Sequence, residues 1–450
     1  MRDENIPELA IRNFKHYYSE LLEKGKSGGL IRDREISPVD DIPHSDELKD
    51  GYKETGRREL SRTVMIKLNG GLGTSMGLNK AKSLLKVKDG LSFLEIIIKQ
   101  ATRDDVALVL MDSFRTRKDS MHVIQQHPEL EQGVPFDFLQ HKVPKILQED
   151  LTAAKYPQGP EHEWCPPGHG DIYNALQTSG MLNRLLGNDY EFAFVSNSDN
   201  LGGVIDTSIL GYFAEQGIPF MMEVAQRTPA DKKGGHLAQR EDDRLILREI
   251  AQCPKEDIDN FQNITKYKYF NTNNLWLNLK ALKNKIEKAK NGFTLPMICN
   301  EKHLNPRDSS SPKVFQLETA MGAAISKFDD SQAMQVPKNR FLPVKKTNSL
   351  LNIRSDNYIL NEKYEVVENP DREFDRCDID LDPVYYKLID DLESRFPYGP
   401  PSLLKCKALL VKGDVKFGEN INIMGTVTIW NSNDSQKKIE NMDIKENIKL

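Results

Sequence analysis

The 450-residue sequence predicts an α/β protein with a mostly parallel central sheet and a C-terminal left-handed β-helix, and three observations carry that expectation. Short apolar runs alternate with helical stretches from Val64 onward. A glycine-rich loop follows the first of those runs. Near the end of the chain, two aliphatic series recur every six residues. The length suits two or three domains, each with a core of its own.

Residues 1 to about 60 read as a helix and then a polar linker. Ile11, Phe14, Tyr18, Leu21 and Leu22 fall on one helical face, and the glycines from Gly25 to Gly29 should stop the helix. The stretch Ser37-Pro38-Val39-Asp40-Asp41-Ile42-Pro43 is loop-like. This region is expected to be a packing or assembly appendage without chemistry.

Charge is abundant but balanced, 62 Lys and Arg against 67 Asp and Glu, so neither nucleic acid nor an anionic membrane is indicated as a partner. The first residues lack the apolar segment of a secretory signal, and no apolar run is long enough to cross a bilayer. The cytoplasm is the expected compartment. Cys165, Cys253, Cys299, Cys377 and Cys406 show no Cys-x-x-Cys spacing, which argues against a disulfide framework or a structural zinc site.

From Val64 to Ser83 a short apolar strand runs into a loop carrying Gly70, Gly71, Gly73 and Gly77, and Lys80 and Lys82 follow. Bare backbone N–H groups followed by a cation are how a chain meets a polyphosphate. Met76 stands where the dinucleotide fingerprint wants its third glycine, and the P-loop template is not met either. Taken alone, the segment could be a simple turn between strand and helix.

Further apolar runs, Val106 to Leu110, Phe136 to Leu139, Phe192 to Val195 and Phe220 to Val224, extend the α/β rhythm to about Ser349. Ligands of open sheets sit beyond the carboxyl ends of the strands, so the residues after each run are candidates. After Phe136 to Leu139, Gln140 offers an amide donor and acceptor suited to the edge of a base. His169 lies between Gly168 and Gly170, where a ligand can approach closely. After Phe192 to Val195 come Asn197 and Asp199; a carboxylate just beyond a buried strand is well placed for Mg²⁺, which keeps waters and bridges phosphate oxygens. Solvated loops and Asx turns would explain the same residues.

The run Leu68-Asn69-Gly70-Gly71-Leu72-Gly73-Thr74-Ser75-Met76-Gly77 closely resembles the nucleotide loop of the UTP–glucose-1-phosphate uridylyltransferase, or UDP-glucose pyrophosphorylase, family. Other segments resemble the family in the same order: Gln140 to Pro144, Pro166 to Asp171, Asn197 to Gly202, Asp231 to Gly235, Phe270 to Trp276, Gln316 to Ile325 and Phe341 to Lys345. Val143 departs from the family's aromatic residue, and Lys80 stands where relatives usually have a small one.

The resemblance implies a Rossmann-like, GT-A-like nucleotidyltransferase domain making UDP-glucose and diphosphate from UTP and glucose 1-phosphate. It implies nucleotide contacts at Leu68, Asn69, Gly70, Gly71, Lys82, Gln140, Gly168, Asp199 and Lys345. Sugar phosphate contacts are implied at His169, Asn197, Lys233 and Asn273, metal binding at Asp199, and charge stabilisation at Lys82 and Lys345. Glu318 is expected to begin a helix of small residues. Another hexose 1-phosphate as substrate, or a non-catalytic UDP-sugar-binding scaffold, are the alternatives.

In the last part, Leu403, Leu409, Val415, Ile421 and Val427 are six apart, as are Val411, Phe417, Ile423 and Ile429. Two in-phase series at that period mark hexapeptide coils, each short strand turning i and i+2 inward. The phase should break at Asn431 to Lys438 and resume at Met442/Ile448 and Ile444/Leu450. An end coil leaves unpaired edges, which favours either capping or self-association, a homo-oligomer through this domain. The expected division is 1–60 appendage, 61–349 catalytic domain, 350–400 linker and helical region, and 401–450 β-helix.

Overall fold

The computed structural model describes residues 1–289, 292–306 and 308–450. Nine strands form the central sheet: β1 (Thr63–Asn69), β2 (Ala107–Asp112), β3 (Asp137–Leu139), β4 (Phe192–Asn197), β5 (Phe220–Gln226), β6 (His236–Gln239), β7 (Leu245–Arg248), β8 (Tyr269–Asn278) and β9 (Gln332–Gln335). The main path runs β7-β6-β8-β4-β1-β2-β3, with β5 pairing to β8 and β9. Its heart, β4-β1-β2-β3, is parallel as expected, while β8 joins β4 antiparallel.

Period-two alternation sends one set of side chains to each face, and each set meets helices. Val64, Ile66, Val109 and Val195 pack on one side with the helices Ile172–Thr178, Met181–Gly187 and Leu279–Glu287. Met65, Leu108, Leu110 and Phe194 pack on the other with Phe93–Asp104 and Thr207–Glu215. The register puts Asn69 opposite Asp112, Asp112 opposite Leu139, and Leu68 opposite Asn197. All four parallel strands therefore deliver their carboxyl ends to one edge.

The N-terminal helix spans Glu8–Lys24 and stops at Gly25, whose φ of +58° suits glycine. Its buried face is turned from the expected one: Ala10, Ile11, Asn13, Tyr17 and Leu21 are buried, Phe14 and Tyr18 are half-buried, and Leu22 is 52% exposed. Tyr17 wins because its hydroxyl accepts the Leu295 N–H at 2.8 Å and donates to the Leu295 carbonyl at 3.1 Å, while its ring packs with Met297 and Phe315. The linker also contains a helix, Asp50–Glu59, that the polar composition hid. Gly56 and Gly211 let it touch Thr207–Glu215 backbone to backbone; a Cβ on either would come within 1.7 Å of a carbonyl oxygen.

Toward the C-terminus, the strand Ser402–Lys412 pairs in parallel with Ile421–Trp430, which pairs in parallel with Met442–Ile444. Leu409 lies beside Val427 and Val411 beside Ile429, so a residue meets its partner three six-residue steps later. All nine aliphatic and aromatic positions of the two series are buried together. The polar loop does break the phase, but Lys437–Ile439 within and after it is a strand that pairs in parallel with Val415–Phe417 and buries Ile439. The strand Asp378–Leu381 joins the same sheet upstream of residue 401.

Candidate active site

The glycine loop leaves β1 at the carboxyl edge and folds back on itself, the Lys82 N–H donating to the Gly71 carbonyl at 3.0 Å. Gly73 and Gly77 take φ of +63° and +80°, which is where side chains are disfavoured. Gly70 faces Gln140: a Cβ on Gly70 would stand 2.9 Å from the Gln140 Oε1, while nothing crowds Gly71. Leu68 is buried, and so is Asn69, whose amide donates to Asp112 Oδ1 at 2.8 Å and Ser120 Oγ at 2.7 Å. The Asn69 side chain is thus committed inside the fold.

Opposite the loop, the Gln140 amide donates to the Gly168 carbonyl at 2.8 Å. Gly168 has φ +79°, and a Cβ there would approach the Thr319 carbonyl oxygen to 2.4 Å, so the Pro167–Gly170 loop is pressed onto Thr319. His169 follows. Its Nδ1 accepts the Met321 N–H at 3.0 Å, and burial lowers its pKa to about 4. At neutral pH the ring is therefore uncharged with its proton on Nε2, a donor for a ligand oxygen. Neighbouring His141 differs: burial opposes its charge, but Asp171 at 2.8 Å outweighs burial and raises its pKa. Val143 is buried and pairs with Cys165, so its side chain serves packing.

Across the cleft, Asp199 stands just past β4 with its Oδ2 2.5 Å from Lys82 Nζ. Next to it a buried polar network fastens the segment that carries Lys345. Asn200 accepts the Leu342 N–H at 2.8 Å and donates to the Arg340 carbonyl at 3.1 Å, and the Val344 N–H donates to the Asp199 carbonyl at 3.2 Å. The Arg340 guanidinium is bidentate on Glu223, at 2.6 and 2.8 Å, and Trp276 and Asn274 donate to the same carboxylate at 2.9 and 3.0 Å. Lys345 itself is exposed, its ammonium 5.8 Å from the Phe341 ring centroid.

The remaining expected residues lie along the same edge but are not bonded to this group. Asn273 takes a positive φ of +59° where β8 bulges against β5, and its side chain accepts from Asn271 at 2.9 Å. A bulge re-aims a side chain in this way. Lys233 is exposed beside Gly234, and Asn197 is half-buried at the end of β4. Glu318 does not begin a helix: it sits in the strand Lys313–Thr319, and the small residues form a 3₁₀ turn over Met321–Ser326. Pairing with Ile298 on Met297–His303 overrides the capping pattern there.

Sequence reasoning missed Asp112, Glu249 and the Arg340–Glu223 pair. Asp112 is buried, accepts from Asn69, Ser120 and Thr116, and burial raises its pKa to about 6. Glu249 covers Gly235, where a Cβ would come within 2.6 Å of its carboxylate; burial raises its pKa and Lys345 opposes that rise. Asp112 ends an apolar strand, a legible signal. Glu249 and Glu223 have no sequence signature.

The carboxyl edge of the parallel strands thus gathers a glycine loop, a neutral imidazole donor, and the Lys82–Asp199 pair. The model of the family described as UTP–glucose-1-phosphate uridylyltransferase matches residues 11–424. The chain belongs to that family. The uridylyltransferase of Saccharomyces cerevisiae is 38% identical over 97% of this chain and 86% of its own length, and that of Hordeum vulgare is 39% identical over 88% and 82%. Among solved structures, a mutant UDP-glucose pyrophosphorylase of Leishmania major in complex with UDP-glucose superimposes with a TM-score of 0.90 at 40% identity, covering 100% of this chain and 98% of its own. The Trypanosoma brucei UDP-glucose phosphorylase gives 0.88 at 41%, covering 99% and 97%. The uridylyltransferase fold thus accounts for the whole chain. Among the described residues no helix is long and apolar enough to cross a membrane, and no group of three or more His, Cys, Asp or Glu is arranged to hold a metal ion.

Proposed function

We propose that this chain is a UTP–glucose-1-phosphate uridylyltransferase, catalysing UTP + glucose 1-phosphate ⇌ UDP-glucose + diphosphate. The family match over residues 11–424 carries the proposal. The convergence of Gly70, Gln140, Gly168, His169, Asp199 and Lys82 on one edge of the sheet supports it.

A sugar-phosphate oxygen attacks the α-phosphorus of UTP in line, and diphosphate leaves from the opposite side. Such transfers depend on positioning and charge neutralisation more than on a protein base. Leu68, Asn69, Gly70 and Gly71 present backbone to the nucleotide, and Gln140 and Gly168 face its base. His169 donates from Nε2 to the sugar phosphate, which Asn197, Lys233 and Asn273 help to hold. Lys82 and Lys345 balance the charge on the phosphates.

Asp199 is the residue that would hold Mg²⁺. One oxygen donor without a protein cage suits an ion that takes its other ligands from phosphate and water. Bound there, the ion would neutralise phosphate charge.

The division into 1–60, 61–349, 350–400 and 401–450 belongs to the same proposal, as do a left-handed β-helix at the C-terminus, homo-oligomerisation through it, and a cytoplasmic site of action. Parallel pairing at three six-residue steps supports the β-helix. The test is side-by-side initial rates with glucose, galactose and N-acetylglucosamine 1-phosphates. Glucose 1-phosphate is expected to be fastest; preference for another sugar would reassign the substrate.

A further inference from the structure

Gln140 and His141 follow the end of β3, and both reach across to the loop that carries Gly168 and His169. The Gly168 carbonyl accepts from the Gln140 amide at 2.8 Å and from the Asp171 N–H at 3.2 Å. Asp171 closes the circuit: its Oδ2 accepts the His141 backbone N–H at 2.7 Å, and its Oδ1 lies 2.8 Å from the ring Nδ1. A ring of bonds therefore joins the two segments. Asp171 immediately precedes the helix Ile172–Thr178, where a carboxylate ordinarily caps, yet it makes no capping bond and turns to His141 instead. The side chains of His141 and Asp171 are only 6% and 5% exposed. Replacing a buried ion pair by apolar residues is often neutral or stabilising, so stability alone does not account for this one.

The second ring nitrogen, Nε2, is 2.8 Å from Thr178 Oγ1, which also lies 3.0 Å from the Asn174 carbonyl. With the ring doubly protonated every bond is made: Nδ1–H donates to Asp171, Nε2–H to Thr178, and the Thr178 hydroxyl to Asn174. A neutral ring can keep both of its bonds only if Thr178 turns its proton away from Asn174, and the charge on the pair is gone. Burial opposes that charge, but Asp171 outweighs burial and holds the ring's pKa above 6.5. The titratable groups beside the pair are otherwise engaged. Asp137 on β3 is paired with Arg117 at 2.6 Å, Lys142 is paired with Glu4 at 2.6 Å, and His169 is uncharged at neutral pH. Tyr17 from the N-terminal helix and Tyr173 from the helix after Asp171 are kept as phenols by burial, donating to the Leu295 and Met321 carbonyls.

We infer that Asp171 and His141 are positioning residues for the nucleotide: their ion pair holds the Gln140 segment against the Pro167–Gly170 loop and so fixes the direction of the Gln140 amide. The inference rests on the uridylyltransferase reading for the identity of the ligand. The Gly168 carbonyl can only accept, so it takes the Gln140 Nε2–H and leaves Oε1 on the Gly70 side as an acceptor for the base. Neither Asp171 nor His141 has to touch the ligand. Loosening the pair frees the amide to turn, which weakens nucleotide binding without removing any group from the phosphates.

The experiment measures calorimetric binding of UDP-glucose to the full-length chain and steady-state kinetics of the reverse reaction. Asp171→Asn and His141→Gln should each raise the UDP-glucose Kd and KM roughly tenfold while kcat and the diphosphate KM change less than about twofold, the pattern of lost uniform binding. The double variant should be no worse than either single one, because the two residues act as a unit. The advantage of wild type over His141→Gln should be full near about pH 6 and shrink toward about pH 9, as the ring loses its proton. Lys67 and Asp112, brought by burial to about 7 and about 6, titrate in both proteins and cancel from that difference. Thr178→Val keeps the Asp171 bond but removes the acceptor of Nε2–H, and should shift the loss to lower pH. Thermal midpoints report that each variant folds; should Asp171→Asn not fold, the profiles of His141→Gln and Thr178→Val decide. Additive losses in the double variant, or an advantage that is absent or the same at every pH, would overturn the inference while leaving the reaction standing. A wild type that binds no UDP-glucose would overturn the uridylyltransferase reading, and the inference with it.

Discussion

Lys82 and Asp199 meet at 2.5 Å, one from the turn after the glycine loop and the other from the turn after β4, with side chains only 14% and 22% exposed. The pair joins the two walls of the cleft and ties the proposed phosphate cation to the proposed metal carboxylate. Removing a preorganised charge contact of this kind costs about 2.7–4 kcal/mol in a transition state. Lys82→Ala is therefore expected to lower kcat by roughly 10²–10³-fold. Turnover within about threefold of wild type would remove Lys82 from the phosphate site.

Gly71 and Gly168 separate binding from folding. Nothing lies near a Cβ on Gly71, so Gly71→Ala should keep the wild-type thermal midpoint; if the loop is the proposed nucleotide cradle, the added methyl should raise the KM for UTP. Gly168→Ala forces a side chain into a positive φ and onto the Thr319 backbone, and should cost at least about 1 kcal/mol in urea unfolding.

His169 gives a pH dependence with a definite sign. Unfolded, its imidazole titrates near 6.5; folded, burial holds it to about 4. The neutral ring contributes fully to stability above about 6.5, and that contribution is lost as pH falls toward 4. His236, held by burial to about 3, adds a loss of the same sign. Urea midpoints should fall across this window, and fall less steeply in His169→Gln.

The Arg340–Glu223 pair is buried on both sides. Breaking it from one side leaves an uncompensated charge, so Glu223→Ala should destabilise by about 3–5 kcal/mol. Asn200→Ala, which removes the bonds to Arg340 and Leu342, should lower kcat more than it raises KM, by loosening the segment that carries Lys345. Steady-state kinetics read alongside thermal midpoints check both.

The strands from Val64 to Val224 were legible because apolar runs and turn residues state them locally. So was the hexapeptide period, because burial at i and i+2 repeats through one core. What the chain does over long distances was not. Tyr17 displaces Leu22 from the buried face through its bonds to Leu295, and Glu318 lies in a strand because Ile298 pairs with it. Asn69 sits in a recognisable motif, yet its side chain turns inward to Asp112. Arg340 finds Glu223 only once β5 and the segment after β9 are side by side.

The most direct test is diphosphate release from UTP, followed with the purified chain while glucose 1-phosphate and Mg²⁺ are each supplied or withheld. The account predicts release, with equal UDP-glucose formation, only when both are present. No release under any condition, or release that does not depend on the sugar phosphate, would contradict it.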